Sequence, residues 1–273
     1  MTYDKKVTSG TTSQKQNNIV TQKISRPKEL FLLFWVDEPD DSRRSFFEEA
    51  CMTRYFNITK SKTYKKETQL VYYTAISRFD QIKGIVANRI SQNGGESKAK
   101  VKEISLFSHA GEIDGPTTKL TTNTPPVPDF PQQMNIKNGW DSINFNWSTD
   151  SMFIMYGCRT SFNGEKSGAG FASKLSKLDN YKNVQVWGQT ESTYPSIYPD
   201  IRETSISRTL NIGWSFDFTY MVATQEGEVW DALFPDSKNP LIALPMQCYK
   251  NGELCLTSDQ SVFNDHRKNK SDD

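Results

Sequence analysis

Apolar residues along this chain fall in short blocks separated by polar turns. Residues 30–36 (LFLLFWV) form the longest apolar run. It has strand length, and its unbroken apolar character predicts a strand covered on both faces of a sheet. Asp37, Glu38, Asp40 and Asp41 then mark a turn, and Ser42 is placed to cap a helix in which Phe47, Ala50, Cys51 and Tyr55 share one face. Residues 70–76 (LVYYTAI) predict a second strand. Ser77 is placed to cap a second helix, where Phe79, Ile82, Val86 and Ile90 repeat at helical spacing until Asn93-Gly94-Gly95 stops it. Residues 101–107 (VKEISLF) predict a third strand, which runs into Ser108-His109-Ala110-Gly111.

The stretch 114–138 holds Pro116, Pro125, Pro126, Pro128 and Pro131, which predicts an ordered loop or flap rather than a helix. Residues 152–156 (MFIMY) predict a fourth strand, followed at once by Gly157-Cys158-Arg159-Thr160. Phe171, Ala172, Leu175 and Leu178 give a helical stripe. Residues 184–187 (VQVW) predict a fifth strand that ends in Gly188-Gln189-Thr190. This alternation implies an α/β fold of three layers, a mostly parallel sheet of about five or six strands with helices on both faces. After residue 200 the pattern changes to hairpin strands at 219–223, 228–233, 241–248 and 253–256, which would extend the sheet or form a small β appendage. The domain map is a disordered leader over 1–26, an α/β core over 27–200, a β-rich extension of the same domain over 201–263, and a disordered tail over 264–273.

Composition narrows the class. Hydrophobic residues make up 36% of the 273 and charged residues 24%, as in globular chains, and the length suffices for a core that needs no metal or disulfide. A net charge of +1 gives no electrostatic case for nucleic acid or an anionic membrane surface. No apolar stretch reaches the ~20 residues of a membrane span. The polar start lacks a secretory signal, so the expectation is synthesis in the cytoplasm, with any export by a signal-independent route. The four cysteines are too few for a disulfide scaffold and show no metal-ligand spacing, so no metal or cofactor is expected. Cys248 and Cys255 flank Asn251-Gly252, a hairpin turn signal. They would face each other across two strands, a spacing that permits a disulfide without requiring one.

Candidate chemistry follows from the strand ends. Ligands collect at the carboxyl edge of open α/β sheets. The third strand ends at His109, the fourth at Cys158 and the fifth at Gln189. A thiol needs a base or a cation beside it to ionise near neutrality, and His109 is the one histidine outside the tail, where His266 lies. Gly157 and Gly111 would leave backbone room for a substrate. Backbone N–H groups around Ala110, Gly111 and Cys158 would stabilise an oxyanion. Asp114 would orient the imidazole or bind a basic substrate group, though Asp-Gly is also a plain turn. Asp37 and its acidic neighbours would recognise a cationic side chain or calcium, or form a solvated loop. Gln189 would touch substrate or cap a turn. Trp140, Trp147 and Trp187 would wall a cleft or fill the core. No GxGxxG, P-loop, GxSxG or HExxH motif is present.

A strand followed by Ser-His-x-Gly, then a strand followed by Gly-Cys-x-Thr, resembles the caspase-like cysteine peptidases, the group that includes caspases, gingipains, separase and clostripain. The resemblance spans about residues 30–190. It implies a caspase-like sheet, His109 as general base or acid, Cys158 as nucleophile, and oxyanion stabilisation by backbone near His109 and at Cys158. Family members usually carry Gly directly after the His, whereas here Ala110 precedes Gly111. The run from Phe171-Ala172 through Val186-Trp187-Gly188-Gln189-Thr190 to Tyr194-Pro195-Ser196 also resembles bacterial secreted effector proteins. The expectation is a cysteine peptidase or related amide hydrolase acting on a protein or peptide, as a bacterial effector or toxin with a cognate inhibitor or immunity protein. Two alternatives stand beside it. One is a caspase-like binding module without catalysis, and the other is a Cys/His acyltransferase or a peptidoglycan-directed amidase.

Overall fold

The computed structural model describes residues 26–37, 44–111, 115–118, 133–162, 169–196, 220–223 and 245–258, with backbone alone at 44–46, 194–196 and 220–223. Most of the 1–26 leader, the 264–273 tail, most of 114–138 with Asp114, the expected strand at 228–233 and most of 201–263 lie outside these residues.

One seven-stranded sheet organises the rest. Its strands are β1 (Lys28–Val36), β2 (Gln69–Ile76), β3 (Ala99–Phe107), β6 (Trp147–Met155), β7 (Gln185–Gln189), β10 (Met246–Lys250) and β11 (Glu253–Ser258). Their order is β11-β10-β7-β6-β3-β1-β2. The first five in sequence, β2-β1-β3-β6-β7, pair in parallel, which are the five strands the apolar blocks predict. The β10–β11 hairpin adds to β7 antiparallel, so the C-terminal hairpin extends the sheet. Two small antiparallel ribbons stand apart. One is β4 (His109–Gly111) with β5 (Gly115–Thr117), and the other is β8 (Thr193–Ser196) with β9 (Tyr220–Ala223).

The unbroken run in β1 serves both faces, because alternate residues point opposite ways. Leu30, Leu32, Phe34 and Val36 join α2 (Gln81–Gln92), through Ile82, Val86 and Ile90, and α3 (Phe171–Ser176), through Phe171, Ala172 and Leu175. Phe31, Leu33 and Trp35 join α1 (Arg44–Thr59), through Phe47, Ala50, Cys51 and Ile58. The three layers are therefore present. Burying each such side chain contributes roughly 1.5–3 kcal/mol, so β1 alone anchors both helical layers. Among the described residues no helix is long and apolar enough to cross a membrane.

Two local expectations change. Ser77 does not cap α2, which starts at Gln81 after Asp80. Instead Gln81 Oε1 accepts the Ser77 and Arg78 N–H groups at 3.0 and 3.1 Å, a side chain folding back over the turn. Next, β6 begins at Trp147 because the β3–β6 register jumps from Val101↔Trp147 to Glu103↔Met152, a bulge that lets Trp147 pair before the apolar block starts. Trp140 and Trp187 are core, at 0% and 2% exposure. Trp147 lines a cleft at the amino ends of the strands, opposite to His109 and Cys158.

Strand alternation puts Glu103 on the same face as Ser105 and Phe107, where it is fully buried beneath α1. Arg54 of α1 meets it with two hydrogen bonds, Nε to Oε1 at 2.8 Å and Nη2 to Oε2 at 2.6 Å, and Ser105 Oγ donates to Oε1 at 2.7 Å. A buried carboxylate needs such partners, since an unpaired one would cost several kcal/mol. The pair fixes α1 on β3, and α1 in turn covers the strand ends that matter below.

Candidate active site

The last rungs of the β3–β6 ladder set the site. Leu106 pairs with Met155, the Tyr156 N–H donates to Leu106 O at 3.0 Å, and the rings of Phe107 and Tyr156 stack at 4.4 Å. One residue further, Gly157 lies against Ser108 and Ala110. A Cβ built on Gly157 would sit 2.6 Å from Ala110 Cβ and 2.9 Å from Ser108 O. The glycine is thus required by the close approach of the two chain segments. This corrects the expectation that Gly157 leaves room for a substrate, because the chain itself fills that room. Gly111 differs, with only Gln133 Nε2 near, at 4.0 Å from a built Cβ. His109, between Ser108 and Ala110, and Cys158, after Gly157, lie just past the carboxyl ends of the parallel strands β3 and β6, and both are half-buried.

His109 opens β4, opposite Thr117 of β5. Its ring meets Phe47 of α1 edge-on, with centroids 4.9 Å apart at 87°. That contact places the ring on the α1 side of the molecule. Nε2 is buried, and the Ser108 hydroxyl donates to the His109 carbonyl at 2.8 Å.

Cys158 begins a tight turn whose next residue, Arg159, has φ of 52°. A long side chain adopts that left-handed conformation at a cost of roughly 1–2 kcal/mol, and such strain persists only where the surroundings hold it. Here they do. The Arg159 N–H donates to Glu191 O at 3.0 Å, and its Nε meets Glu191 Oε2 at 3.2 Å. Thr160 Oγ1 accepts the Gln189 N–H at 3.0 Å, and the Ser161 N–H donates to Gln189 O at 2.9 Å. Gly188 lets this turn lie on β7, since a Cβ there would be 2.8 Å from Thr160 Oγ1.

Thr193 of β8 completes the surroundings of the thiol. Its N–H donates to Cys158 Sγ at 3.3 Å, its hydroxyl oxygen lies 3.6 Å from the sulfur, and its carbonyl faces Sγ at 3.6 Å. Among the described residues, the hydrogen-bond contacts of this sulfur are all with Thr193. The same hydroxyl donates to Tyr156 O at 2.9 Å, so one residue ties the thiol to the end of β6.

The other candidates are placed as follows. Asp37 ends β1, the strand beside β3, with its N–H donating to Ile76 O at 2.9 Å, so it shares the edge with His109. Gln189 is fully buried inside β7 and braces the Cys158 turn through its backbone, which corrects its assignment to substrate contact. Ala110 and Gly111 lie in β4, opposite Pro116 and Gly115. Cys51 of α1 is buried against the sheet, and burial pushes its thiol well above the usual value. Cys248 and Cys255 are free thiols on the outer hairpin. A cleft of about 410 Å3, lined by residues 133–138 and Phe171, adjoins β5, to which Gln133 bridges at Thr117. Thr193, Glu191 and the bracing role of Gln189 carry no sequence signal. Each acts on a segment some thirty residues away in the chain, a pairing that the one-dimensional pattern does not encode.

No family model matches the chain, and no curated protein matches it. Among solved structures it is similar to the X-ray structure of a secreted C11 cysteine protease from Bacteroides thetaiotaomicron in complex with an irreversible peptide inhibitor, with 9% identity and a TM-score of 0.43. The match covers 82% of this chain and 66% of that one, just under two thirds of its length.

Proposed function

We propose that this protein is a cysteine hydrolase of peptide amides, with Cys158 as nucleophile and His109 as its acid–base partner. The observation that supports this reading is the close packing of Gly157 on Ser108 and Ala110, which brings together the two chain segments that bear the thiol and the imidazole. In the proposed reaction the Cys158 thiolate attacks the substrate carbonyl carbon, and the carbonyl pair moves to oxygen. Backbone N–H groups of Ala110, Gly111 and Cys158 are the proposed donors to that oxyanion. The C–N bond then breaks as His109 gives its proton to the leaving amine, leaving a thioester. His109 next takes a proton from water, the water oxygen attacks the thioester, and the C–S bond breaks to return the thiolate. Asp37 and Asp114 are the proposed acidic recognition groups for a basic substrate side chain. Action as an exported bacterial toxin or effector, restrained by an inhibitor or immunity protein, extends this proposal and rests on the sequence resemblance.

A second reading, a binding module without turnover, is favoured by the sulfur's contacts with Thr193 and by Ala110 standing before Gly111. The discriminating experiment treats the folded protein with a peptidyl acyloxymethyl ketone and locates the adduct by mass spectrometry. Labelling at Cys158 that falls at least tenfold in His109→Ala supports the hydrolase. Labelling absent from Cys158, or unchanged in His109→Ala, supports the binding module.

A further inference from the structure

The outer hairpin carries a second pair of sulfurs. Asn251 and Gly252 turn the chain with φ of 52° and 90°. Tyr249 then pairs with Leu254, but Cys248 pairs with Leu256, so Cys255 is the extra residue of a bulge in the outermost strand. A bulge re-aims its side chain, and here it brings Cys255 Sγ to 3.1 Å from Cys248 Sγ and 3.3 Å from Cys248 O. The two thiols differ in access. Cys248 is fully buried against β7, opposite Trp187, while Cys255 is exposed. Burial, with the Cys255 contact next, pushes the Cys248 thiol up.

We propose that Cys248 and Cys255 are a reversible redox site whose co-substrate is a low-molecular-weight disulfide of the glutathione class. The Cys255 thiolate, the accessible one, attacks one sulfur of the oxidised disulfide. A mixed disulfide forms on Cys255, and one reduced thiol leaves with its proton. Cys248 then loses its proton and attacks Cys255 Sγ, which releases the second reduced thiol. The protein dithiol is oxidised by two electrons, and one disulfide is reduced to two thiols. The sulfurs need to close by about 1 Å to reach bonding distance. Reversibility follows from loop size. The bridge would close only the hairpin turn, so it restrains the unfolded chain less than a long-range bridge would. Folding therefore does not drive the bond far toward the oxidised side, and the exposed sulfur leaves a route for reduction. This inference does not depend on the peptidase reading.

The test incubates the reduced full-length chain in glutathione buffers of rising oxidised fraction, then alkylates and maps free thiols by mass spectrometry. Cys248 and Cys255 are expected to lose alkylation together, without retained glutathione, while buried Cys51 stays alkylatable after unfolding. Dithiothreitol should restore both. Cys248→Ser should stop at a glutathione adduct on Cys255, and Cys255→Ser should leave Cys248 unmodified. Cys158→Ser should oxidise at the pair as the parent does, which separates this result from the fate of the hydrolase proposal. Free thiols at both positions in the most oxidising buffer would overturn the inference. So would a stable glutathione adduct on Cys255 in the unsubstituted chain.

Discussion

The two halves of the candidate site are held by different means. The Cys158 turn is fastened by polar contacts. Arg159 is locked in a left-handed conformation, Thr160 and Ser161 bond to β7, and the thiol itself rests on Thr193. His109 stands on a three-residue strand and leans edge-on against Phe47, so its position depends on aromatic packing and on the seat of α1. Directional hydrogen bonds hold the Cys158 turn within narrow limits, and edge-on ring packing sets the tilt of the His109 imidazole against α1. The halves meet where Gly157 touches Ser108 and Ala110.

The sharpest separation is expected in activity on a peptide substrate. Cys158→Ala should lose all turnover, while His109→Ala should lose ~100-fold or more, the usual scale for a positioned acid–base group. Cys51→Ala, Cys248→Ala and Cys255→Ala should stay active, with circular dichroism confirming the fold. Turnover by Cys158→Ala would end the hydrolase proposal. The junction comes next. Gly157→Ala places a methyl 2.6 Å from Ala110 Cβ and 2.9 Å from Ser108 O, so urea unfolding should show a loss of ~1–3 kcal/mol. Adding Ala110→Gly should recover part of it, because one of the two clashes disappears.

Alkaline pH should loosen the shared base of both halves. Burial raises the Cys51 thiol and the Tyr156 phenol above their ordinary values of 9.0 and 10.0, the nearby Arg54 guanidinium opposing the shift at Tyr156. Both folded pKa values lie above the unfolded ones. Their protonated forms therefore favour the native state fully below about pH 9, and that share is lost as pH rises past the unfolded values. Stability should fall by up to ~1.4 kcal/mol per pH unit per group, read from urea midpoints at about pH 8 and 10.5. Tyr156→Phe should flatten the slope. The smallest effect is expected for Glu191→Ala. The Arg159–Glu191 pair is about a third exposed, so its loss should cost ~1 kcal/mol or less by thermal melting while the backbone bond between the same residues persists. A larger loss would mean that the ion pair, not the backbone, holds the turn.

How much of this was legible depended on the kind of signal. The strands announce themselves because 30–36 and 152–156 are too apolar to be anything but central, and the parallel order follows from helices between them. His109 and Cys158 could be placed for the same reason, as residues directly after such blocks. The role of Glu103 could not, since its partner Arg54 reaches it from α1, some fifty residues away in the chain. Thr193 could not either, because it reaches the thiol with its backbone, and a backbone N–H is common to nearly every residue. Gly157 was legible as a glycine but not in its purpose. The sequence shows that a side chain is missing, not what occupies the space.

The strand order also has a consequence for synthesis. Because β1 sits between β2 and β3, residues 28–107 supply a complete three-stranded unit with α1 and α2, and the imidazole follows two residues later. The thiol belongs to a strand pairing that closes only after β6 has been made. A ribosome that has released the first unit has delivered the base without the nucleophile. On the proposed chemistry the growing chain is therefore inert toward its neighbours, and hydrolytic capacity appears with the late docking of β6 onto β3.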